Sequence, residues 1–372
     1  MIQVFQPNIS LKDKISVLKS LSMNQISGTS PVVKEFEEKI AKDFDRKFGI
    51  AVSSGSSALD VALSVLDLKE GDEVILPSFT IISCLAAVIR SEATPIFCDV
   101  DNKTWNMNVD DVKTRITTKT RAIIMVHTYG LTSPAKDILD ICKAKNIILI
   151  EDAAEAHGQI VDSQRCGSFG QISTLSFYAN KHITTGEGGM VLTNDINIYN
   201  KSLRIRNLDF GKPRFIHKNL FWNYRMSSIQ AALGISQLKD LNKTINKKIA
   251  QGTFYLELLK DYQHYLDLPL KNNGDVKNNF WVFGLVLKFE NSRDQIIEDL
   301  LKKGIETRPF FWPLHLQPAL PKKFVNNNTY PVSEWLGRNG LYLPIGSHIN
   351  KNTQKLIVKT LIDSIEKSQK DA

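Results

Sequence analysis

Long uninterrupted apolar runs and paired cysteines are both missing from this sequence. No apolar stretch reaches the ~18 residues that a membrane-spanning helix needs. The N-terminus lacks the basic and then apolar segments of a secretory signal. Four scattered cysteines show neither C-x-x-C spacing nor neighbouring histidines in a metal-ligand pattern: Cys84, Cys98, Cys142 and Cys166. These absences predict a cytoplasmic protein with reduced, mostly buried thiols and no metal centre.

Runs of one charge sign are also absent. The chain has 47 lysines and arginines against 39 aspartates and glutamates, a formal net charge of +8. Such an excess suits an anionic partner, but basic and acidic residues alternate, as in residues 34–39. No basic segment with interleaved aromatic residues stands out. The distribution argues against nucleic acid and membranes, and it leaves a phosphorylated small molecule as the anionic partner.

The sequence does contain a regular alternation of short apolar runs and helical patterns. Its 372 residues are enough for about two domains. After two amphipathic helices near residues 10–22 and 33–46, the alternation predicts a largely parallel sheet with helices on both faces. Strands are predicted at residues 48–52, 73–76, 95–100, 122–126, 147–150, 171–176 and 189–194. Ligands of such sheets gather at the carboxyl ends of the strands.

The pattern changes in the last third of the chain. A long amphipathic stretch from about residue 229 to residue 266 predicts a connecting helix. Beyond it, the pattern predicts strands near residues 280–287 and 305–307 and helices near residues 294–303, 333–340 and 351–367. We therefore predict a large domain at residues 1–238 and a smaller C-terminal α+β domain at residues 239–372.

A serine-rich turn follows the first predicted strand. In the turn Ser54-Gly55-Ser56-Ser57, free backbone N–H groups, hydroxyls and a helix dipole could together hold a phosphate. An ordinary helix N-cap is the alternative, since serine is favoured there for local reasons. A cap needs one serine, whereas this turn offers three around a glycine. The composition favours a phosphate site.

Two further residues could complete a cofactor site. Asp152 follows an apolar strand beside two alanines, so its carboxylate needs a partner. A protonated ring nitrogen would serve, and so would the start of a helix at Ala153. Lys181 lies on a turn bounded by glycines, and a partly buried lysine is a nucleophile toward a carbonyl carbon. A solvated surface lysine is the alternative interpretation.

A phosphate anchor, a strand-end carboxylate and a turn lysine are together what pyridoxal 5'-phosphate requires. The carboxylate keeps the pyridine nitrogen protonated, and the amine reacts with the aldehyde. Neither a zinc-ligand set nor a G-x-S-x-G nucleophile motif is present. The constellation therefore predicts a pyridoxal phosphate enzyme.

The chain resembles the DegT/DnrJ/EryC1/StrS family of sugar aminotransferases, which are pyridoxal phosphate enzymes of fold type I. The resemblance is carried by residues 54–59, 71–75, 77–80, 126–130, 151–158, 176–195 and 223–226. It implies transfer of an amino group from glutamate to a keto sugar attached to a nucleotide. Residues 305–315 are most similar to members that make 4-amino-4,6-dideoxy sugars. This implies amination at C-4 of a GDP-linked, or alternatively a dTDP-linked, 4-keto-6-deoxyhexose for O-antigen or another surface polysaccharide.

The resemblance also implies roles for matching residues. Lys181 would attach the cofactor and move the proton between substrate and cofactor. Asp152 would pair with the pyridine nitrogen, and Glu155 would lie near the ring hydroxyl. The cofactor phosphate would be held by Ser56, Ser57 and Ser176. One family member with histidine in place of the lysine performs dehydration, so the presence of Lys181 implies transamination.

Other implications concern the neighbouring subunit and the substrate. Asn223 would reach the cofactor phosphate of the partner, which makes a homodimer obligatory. Arg308 and His315 are candidate substrate contacts. Ile81 stands where many relatives stack an aromatic residue on the cofactor. The stacking face is therefore either aliphatic or completed by Phe79.

A non-catalytic regulator that kept the fold is the alternative from another functional class. Such a protein is expected to lose the lysine, the aspartate or the serine turn. All three are present in this sequence, which favours an enzyme.

Overall fold

A computed structural model describes residues 1–290 and 292–370. The helices in these ranges are α1 Leu11–Ser22, α2 Pro31–Asp43, α3 Gly55–Ser64, α4 Ile82–Arg90, α5 Val109–Arg115, α6 Ala135–Lys145, α7 Ile196–Arg206, α8 Ser228–Leu238, α9 Leu241–Leu259, α10 Arg293–Lys302, α11 Pro331–Asn339 and α12 Lys351–Lys370. The strands are β1 Phe48–Val52, β2 Glu73–Pro77, β3 Thr94–Cys98, β4 Thr120–Val126, β5 Ile148–Asp152, β6 Ile160–Val161, β7 Gln164–Arg165, β8 Ile172–Ser176, β9 Gly189–Thr193, β10 Leu266–Asp267, β11 Asn272–Asn273, β12 Val276–Lys277, β13 Phe283–Leu287, β14 Arg308–Pro309 and β15 Gly340–Leu343.

The main sheet has seven strands in the order β1-β9-β8-β5-β4-β2-β3. Strand β9 is antiparallel to both of its neighbours, and the other strands run in one direction. The predicted α/β fold with a largely parallel sheet is confirmed. The carboxyl ends of β1, β2, β4, β5 and β8 therefore meet at one edge, where ligands of such sheets bind.

Helices cover both faces of this sheet, which explains why most residues of its strands are buried. Ile50 and Val52 pack with α3 on one face. Ala51 lies between them in sequence and packs with α2 on the opposite face. Every residue of β8 and of β9 is buried. The resulting core holds the strand ends rigidly in place.

A second, antiparallel sheet lies in the C-terminal part, in the order β10-β13-β15-β14. It shares a hydrophobic core with α9, α10 and α12. The N-terminus contacts this part, since Ile2 forms a β-bridge with Ile305. The division after residue 238 falls at the end of α8, and it stays a prediction.

Some predicted elements differ from the structure. The strand predicted at residues 305–307 is wrong, because β14 is Arg308–Pro309 and Ile305 makes only the single bridge with Ile2. The long connecting helix predicted to about residue 266 is two helices. Helix α8 ends at Leu238, and α9 runs from Leu241 to Leu259. The hairpin strands β6, β7, β11 and β12 contain two residues each. Such strands are too short to show a hydrophobic period.

Two further features of the structure concern the cysteines and the hydropathy of the helices. All four cysteines are buried and free, as predicted. Within residues 1–290 and 292–370, no helix combines the length and the hydropathy needed to cross a bilayer.

Candidate functional site

A cavity of about 380 Å³ lies at the carboxyl edge of the main sheet. We refer to it as the sheet-edge cavity. Its lining includes the predicted residues Ser56, Asp152, Glu155, Ser176 and Lys181. The predicted residues Ser57, Asn223, Arg308 and His315 are not in its lining. The fold thus brings together residues that lie up to about 125 positions apart in the chain.

The serine turn begins α3 with its N-terminal backbone at this cavity. The N–H of Ser57 donates to Ser54 Oγ at 3.1 Å. The first N–H groups of a helix have no acceptor within the helix, which leaves those of Gly55 and Ser56 available to an anion. A Cβ on Gly55 would lie 2.8 Å from Cβ of Ser176. Only glycine therefore lets the turn approach Ser176 at the end of β8 this closely.

The sequence left two interpretations for these serines, a helix cap and a phosphate site, and the structure shows a capping role for Ser57. Ser57 is buried, and its Oγ accepts from the N–H of Ser54 at 2.9 Å and donates to the carbonyl of Ser54 at 2.8 Å. It completes the N-cap of α3. Ser56 instead lines the cavity, with its Oγ 2.7 Å from Ser83 Oγ. The direct phosphate contact predicted for Ser57 stays a prediction.

Asp152 is the last residue of β5 and is buried. Its Oδ1 accepts from the N–H of Ala154 at 3.1 Å and from Thr174 Oγ1 at 3.3 Å. Cys84 Sγ donates to its Oδ2 at 3.6 Å. Turns follow Asp152, so the alternative of a helix starting at Ala153 is wrong. Burial raises the pKa of Asp152, and a cation beside it would favour its charged form.

Only 9% of the side-chain surface of Lys181 is exposed, which excludes the alternative of a solvated surface lysine. Its Nζ lies 3.7 Å from Glu155 Oε1 and 3.8 Å from the centre of the Trp281 ring. Burial lowers the pKa of Lys181, although the negative charges of Glu155 and Asp152 oppose the shift. A lowered pKa increases the neutral, nucleophilic fraction of the amine.

Glu155 is the acidic neighbour of this lysine. Its Oε2 accepts from the N–H of Tyr129 at 3.0 Å, which fixes the carboxylate. Burial raises the pKa of Glu155 to about 7, against the opposing charge of Lys181. A carboxyl group with such a pKa can exchange a proton near neutral pH.

Besides Ser57, three predicted residues lie outside the lining of the cavity. Asn223 is exposed, and its Oδ1 accepts from the N–H of Arg225 at 3.3 Å. Arg308 is exposed and donates to Glu306 Oε1 at 3.0 Å. His315 Nδ1 lies 2.6 Å from the Oγ of Ser78. Their roles in binding stay predictions.

Ile81 stands where many relatives carry an aromatic residue. It lines the cavity and is the N-cap residue of α4. Phe79 is fully buried, with its ring 5.7 Å from that of Tyr129, and it does not line the cavity. An aliphatic surface is therefore what position 81 presents to the cavity.

Sequence reasoning missed an aromatic wall of the cavity. It consists of Tyr178, Trp281, Phe311 and Tyr342. The indole N–H of Trp281 donates to the carbonyl of Asn180 at 3.0 Å, which ties the lysine turn to the C-terminal part of the chain. Nothing local in the sequence distinguishes these aromatic residues from core residues.

A buried polar network supports the strand that carries Asp152. The Glu151 carboxylate accepts N–H groups of Phe169 at 2.8 Å and Gly170 at 3.1 Å. His127 Nε2 lies 3.0 Å from it, while the Nδ1 of His127 accepts from the N–H of Ser133. His127 is thus a donor at Nε2, and Glu151 is satisfied without a metal ion.

Comparisons with known proteins agree with this geometry. The DegT/DnrJ/EryC1/StrS aminotransferase family matches residues 8–362. GDP-perosamine synthase of Escherichia coli O157:H7 is 38% identical over 344 residues, covering 92% of this chain and 93% of that protein. The dTDP-4-dehydro-2,3,6-trideoxy-D-glucose 4-aminotransferase of Saccharopolyspora spinosa is 31% identical over 387 residues, covering 99% and 97%. The structure of an aminotransferase from Psychrobacter cryohalolentis is similar with a TM-score of 0.90 at 28% identity, covering 98% of each chain.

Proposed function

This chain belongs to the DegT/DnrJ/EryC1/StrS aminotransferase family of pyridoxal phosphate enzymes, and from that membership we propose its reaction. It transfers an amino group from glutamate to C-4 of a GDP-linked 4-keto-6-deoxyhexose. The product is a 4-amino-4,6-dideoxy sugar nucleotide for O-antigen or another surface polysaccharide. The observation that carries the proposal is the convergence of Ser56, Asp152 and Lys181 on one cavity. The nucleotide and the position of amination rest on the similarity to GDP-perosamine synthase.

The donor set fits pyridoxal phosphate. Ser56, Ser176 and the first N–H groups of α3 would hold the phosphate, since they line the cavity. Asp152 would pair with the ring nitrogen and keep it protonated, because a buried carboxylate with a raised pKa gains from a cationic partner. When bound, the cofactor supplies an electron sink that stabilises negative charge on the carbon bearing the amine.

The proton is handled by Lys181 and Glu155. Burial keeps a fraction of the Lys181 amine neutral, so Nζ can take a proton from the amine-bearing carbon and return it. Glu155, with its carboxylate 3.7 Å away, holds the resulting ammonium in place. The aromatic wall, with Trp281 below Nζ, excludes water from the proton transfer.

We further place Asn223 in the cofactor site of the partner subunit of a homodimer. Asn223 is exposed and outside the cavity of its own chain. The segment that precedes it exposes large apolar side chains, namely Phe215, Ile216, Leu220 and Trp222. Contiguous exposed apolar residues mark interaction surfaces. A second copy of the chain is the partner that gives Asn223 a phosphate to bind.

Mixed dimers test this assignment. Lys181→Ala and Asn223→Ala are each expected to lower activity, but co-expression of the two chains recreates one intact site per heterodimer. With random pairing, about a quarter of the wild-type activity is expected. Activity no higher than that of the separate variants would place the whole site within one chain. Asn197→Ala is the matched control for Asn223→Ala, since Asn197 is exposed on α7.

An activity panel tests the reaction itself. Purified protein with glutamate is offered GDP- and dTDP-linked 4-keto-6-deoxyhexoses, and the products are identified by NMR. We expect kcat/KM for the GDP-linked sugar to exceed that for the dTDP-linked sugar at least about tenfold. The reverse order would assign dTDP as the nucleotide. Turnover of a 3-keto sugar alone would contradict amination at C-4, and the absence of any turnover would favour the regulatory alternative.

A further inference from the structure

A second cavity, of about 330 Å³, adjoins the lysine turn. We refer to it as the lysine-rich cavity. Its walls come from the N-terminal segment, from the first turns of α9 and from the loop after β15, and they include Phe5, Lys243 and Gly346. Asn180 and Lys181 line both this cavity and the sheet-edge cavity. Its volume lies within the range of about 300–1,000 Å³ that is usual for small-molecule sites.

Basic residues outnumber acidic ones in the lining of this cavity. Lys181, Lys243, Lys247 and Lys248 line it, with Asp240 as the acidic residue in the lining. The ion pairs of the described residues include Lys181 with Glu155 but none with Lys243, Lys247 or Lys248. Lys247 Nζ donates to the carbonyl of Ser347 at 3.0 Å, and Lys248 Nζ donates to that of Trp281 at 2.7 Å. Each ammonium group has further N–H donors for a ligand.

Unpartnered buried groups in the same lining are an independent observation. His182 is 2% exposed, and neither of its ring nitrogens has a hydrogen-bond partner among the described residues. The Oδ1 of Asn180 is also buried without a partner there. A buried polar atom without a partner carries the cost of its lost hydration. A polar ligand in the cavity would remove this cost.

We propose that the lysine-rich cavity binds the phosphate group of a small anion. Lys243 and Lys247 supply the positive charge, and Lys248 and His182 supply further N–H donors. The site is separate from the serine turn at the sheet-edge cavity, because Ser54, Gly55 and Ser56 do not line the lysine-rich cavity. It goes beyond the proposed transamination. The phosphate is either free inorganic phosphate or diphosphate, or it belongs to a nucleotide.

Calorimetric titration of the cofactor-loaded enzyme tests this site, because the cofactor phosphate already occupies the serine turn. The probes are inorganic phosphate, inorganic diphosphate, GDP and guanosine. We expect saturable binding of at least one phosphate-bearing probe. This binding should weaken at least about tenfold in the double variant Lys243→Gln/Lys247→Gln, which removes the two exposed charges of the lining, the rim lysines.

Lys12→Gln/Lys239→Gln is the matched control. Both lysines are exposed and line a different groove, beside α1 and α8, so the same charge is removed away from the lysine-rich cavity. Binding to the control is expected to stay within about twofold of the wild type. Equal weakening in both double variants would overturn the proposal, because net charge alone would then account for it.

The probes separate the two sources of phosphate. Rim-dependent binding of inorganic phosphate or diphosphate identifies a free anion, and rim-dependent binding of GDP alone identifies a nucleotide. The proposal is overturned if no probe binds saturably, or if GDP and guanosine bind equally without dependence on the rim lysines. The activity panel is measured separately, so failure here leaves the proposed reaction standing.

Discussion

Lys181→Ala is expected to lower transamination at least about 10³-fold. In the proposed reaction, the substitution removes both the amine that attaches the cofactor and the group that moves the proton, and proton transfer alone contributes about 10²–10⁴-fold. Borohydride reduction followed by peptide mass spectrometry is the direct measurement. The wild type should carry a pyridoxyl group on the peptide with Lys181, and the variant should carry none.

A second buried lysine makes this experiment discriminating. Burial lowers the pKa of Lys248 to about 7, with a further contribution from the charge of Lys181, so Lys248 also has a neutral fraction. A pyridoxyl group on the Lys248 peptide of the wild type would contradict the assignment of Lys181. The control is Lys239→Ala, which alters an exposed lysine outside both cavities. Its activity and its labelling should equal those of the wild type.

Asp152→Asn is expected to lower kcat/KM between about 10²-fold and several thousand-fold. Asparagine keeps the size of the side chain and an oxygen that accepts from the N–H of Ala154, but it removes the negative charge. Breaking a buried charge pair by removing one partner costs about 3–5 kcal/mol, and each ~1.4 kcal/mol corresponds to a factor of ten. The measurement is kcat/KM with glutamate and the preferred sugar nucleotide.

The outcome depends on the cofactor staying bound. Lys181 and the serine turn remain in the Asp152→Asn variant, so the absorption of the bound cofactor should persist while turnover falls. A loss of less than about tenfold would contradict the pairing of Asp152 with the ring nitrogen. The control is Asp110→Asn, at an aspartate whose side chain is 88% exposed in a surface pair with Lys113. Its kcat/KM should stay at the wild-type value.

The lysine-rich cavity adds a consequence for Lys181. A phosphate there would place negative charge near an amine that lines both cavities. Negative charge favours the ammonium form and raises the pKa of a lysine. Glu155, 3.7 Å from Nζ, already acts in this direction. Phosphate bound in this cavity would therefore reduce the neutral fraction of Lys181 whenever its amine is free of the cofactor.

The sequence could predict the seven strands of the main sheet because each contributes a local apolar run. Asp152 and Ser176 end two of these runs, at β5 and β8. Parallel strands bring their carboxyl ends to one edge, so the meeting of these residues could be inferred without coordinates. The three-residue prediction for strand 305–307 failed because so short a run has no period to read. Contacts with Ile2 decided that segment.

The aromatic wall and the lysine-rich cavity could not be predicted from the sequence. Trp281 lies 101 positions beyond Asn180, whose carbonyl it contacts, and its own neighbourhood reads as an ordinary apolar strand. Lys248 sits in a basic helical stretch that resembles a solvated surface, yet it is buried. Burial of this kind depends on how the C-terminal part packs against the lysine turn.

The sequence by itself determined the fold class and the family, and it predicted the lysine, the aspartate and the serine turn as site residues, because those signals lie in local runs of a few residues. Only the tertiary structure decided that Ser56 lines the cavity while Ser57 caps α3. It also decided that Lys181 lies between Glu155 and Trp281, and that three further lysines adjoin it. Distances between segments remote in the chain arise from packing, and hydrophobic periodicity carries no information about them.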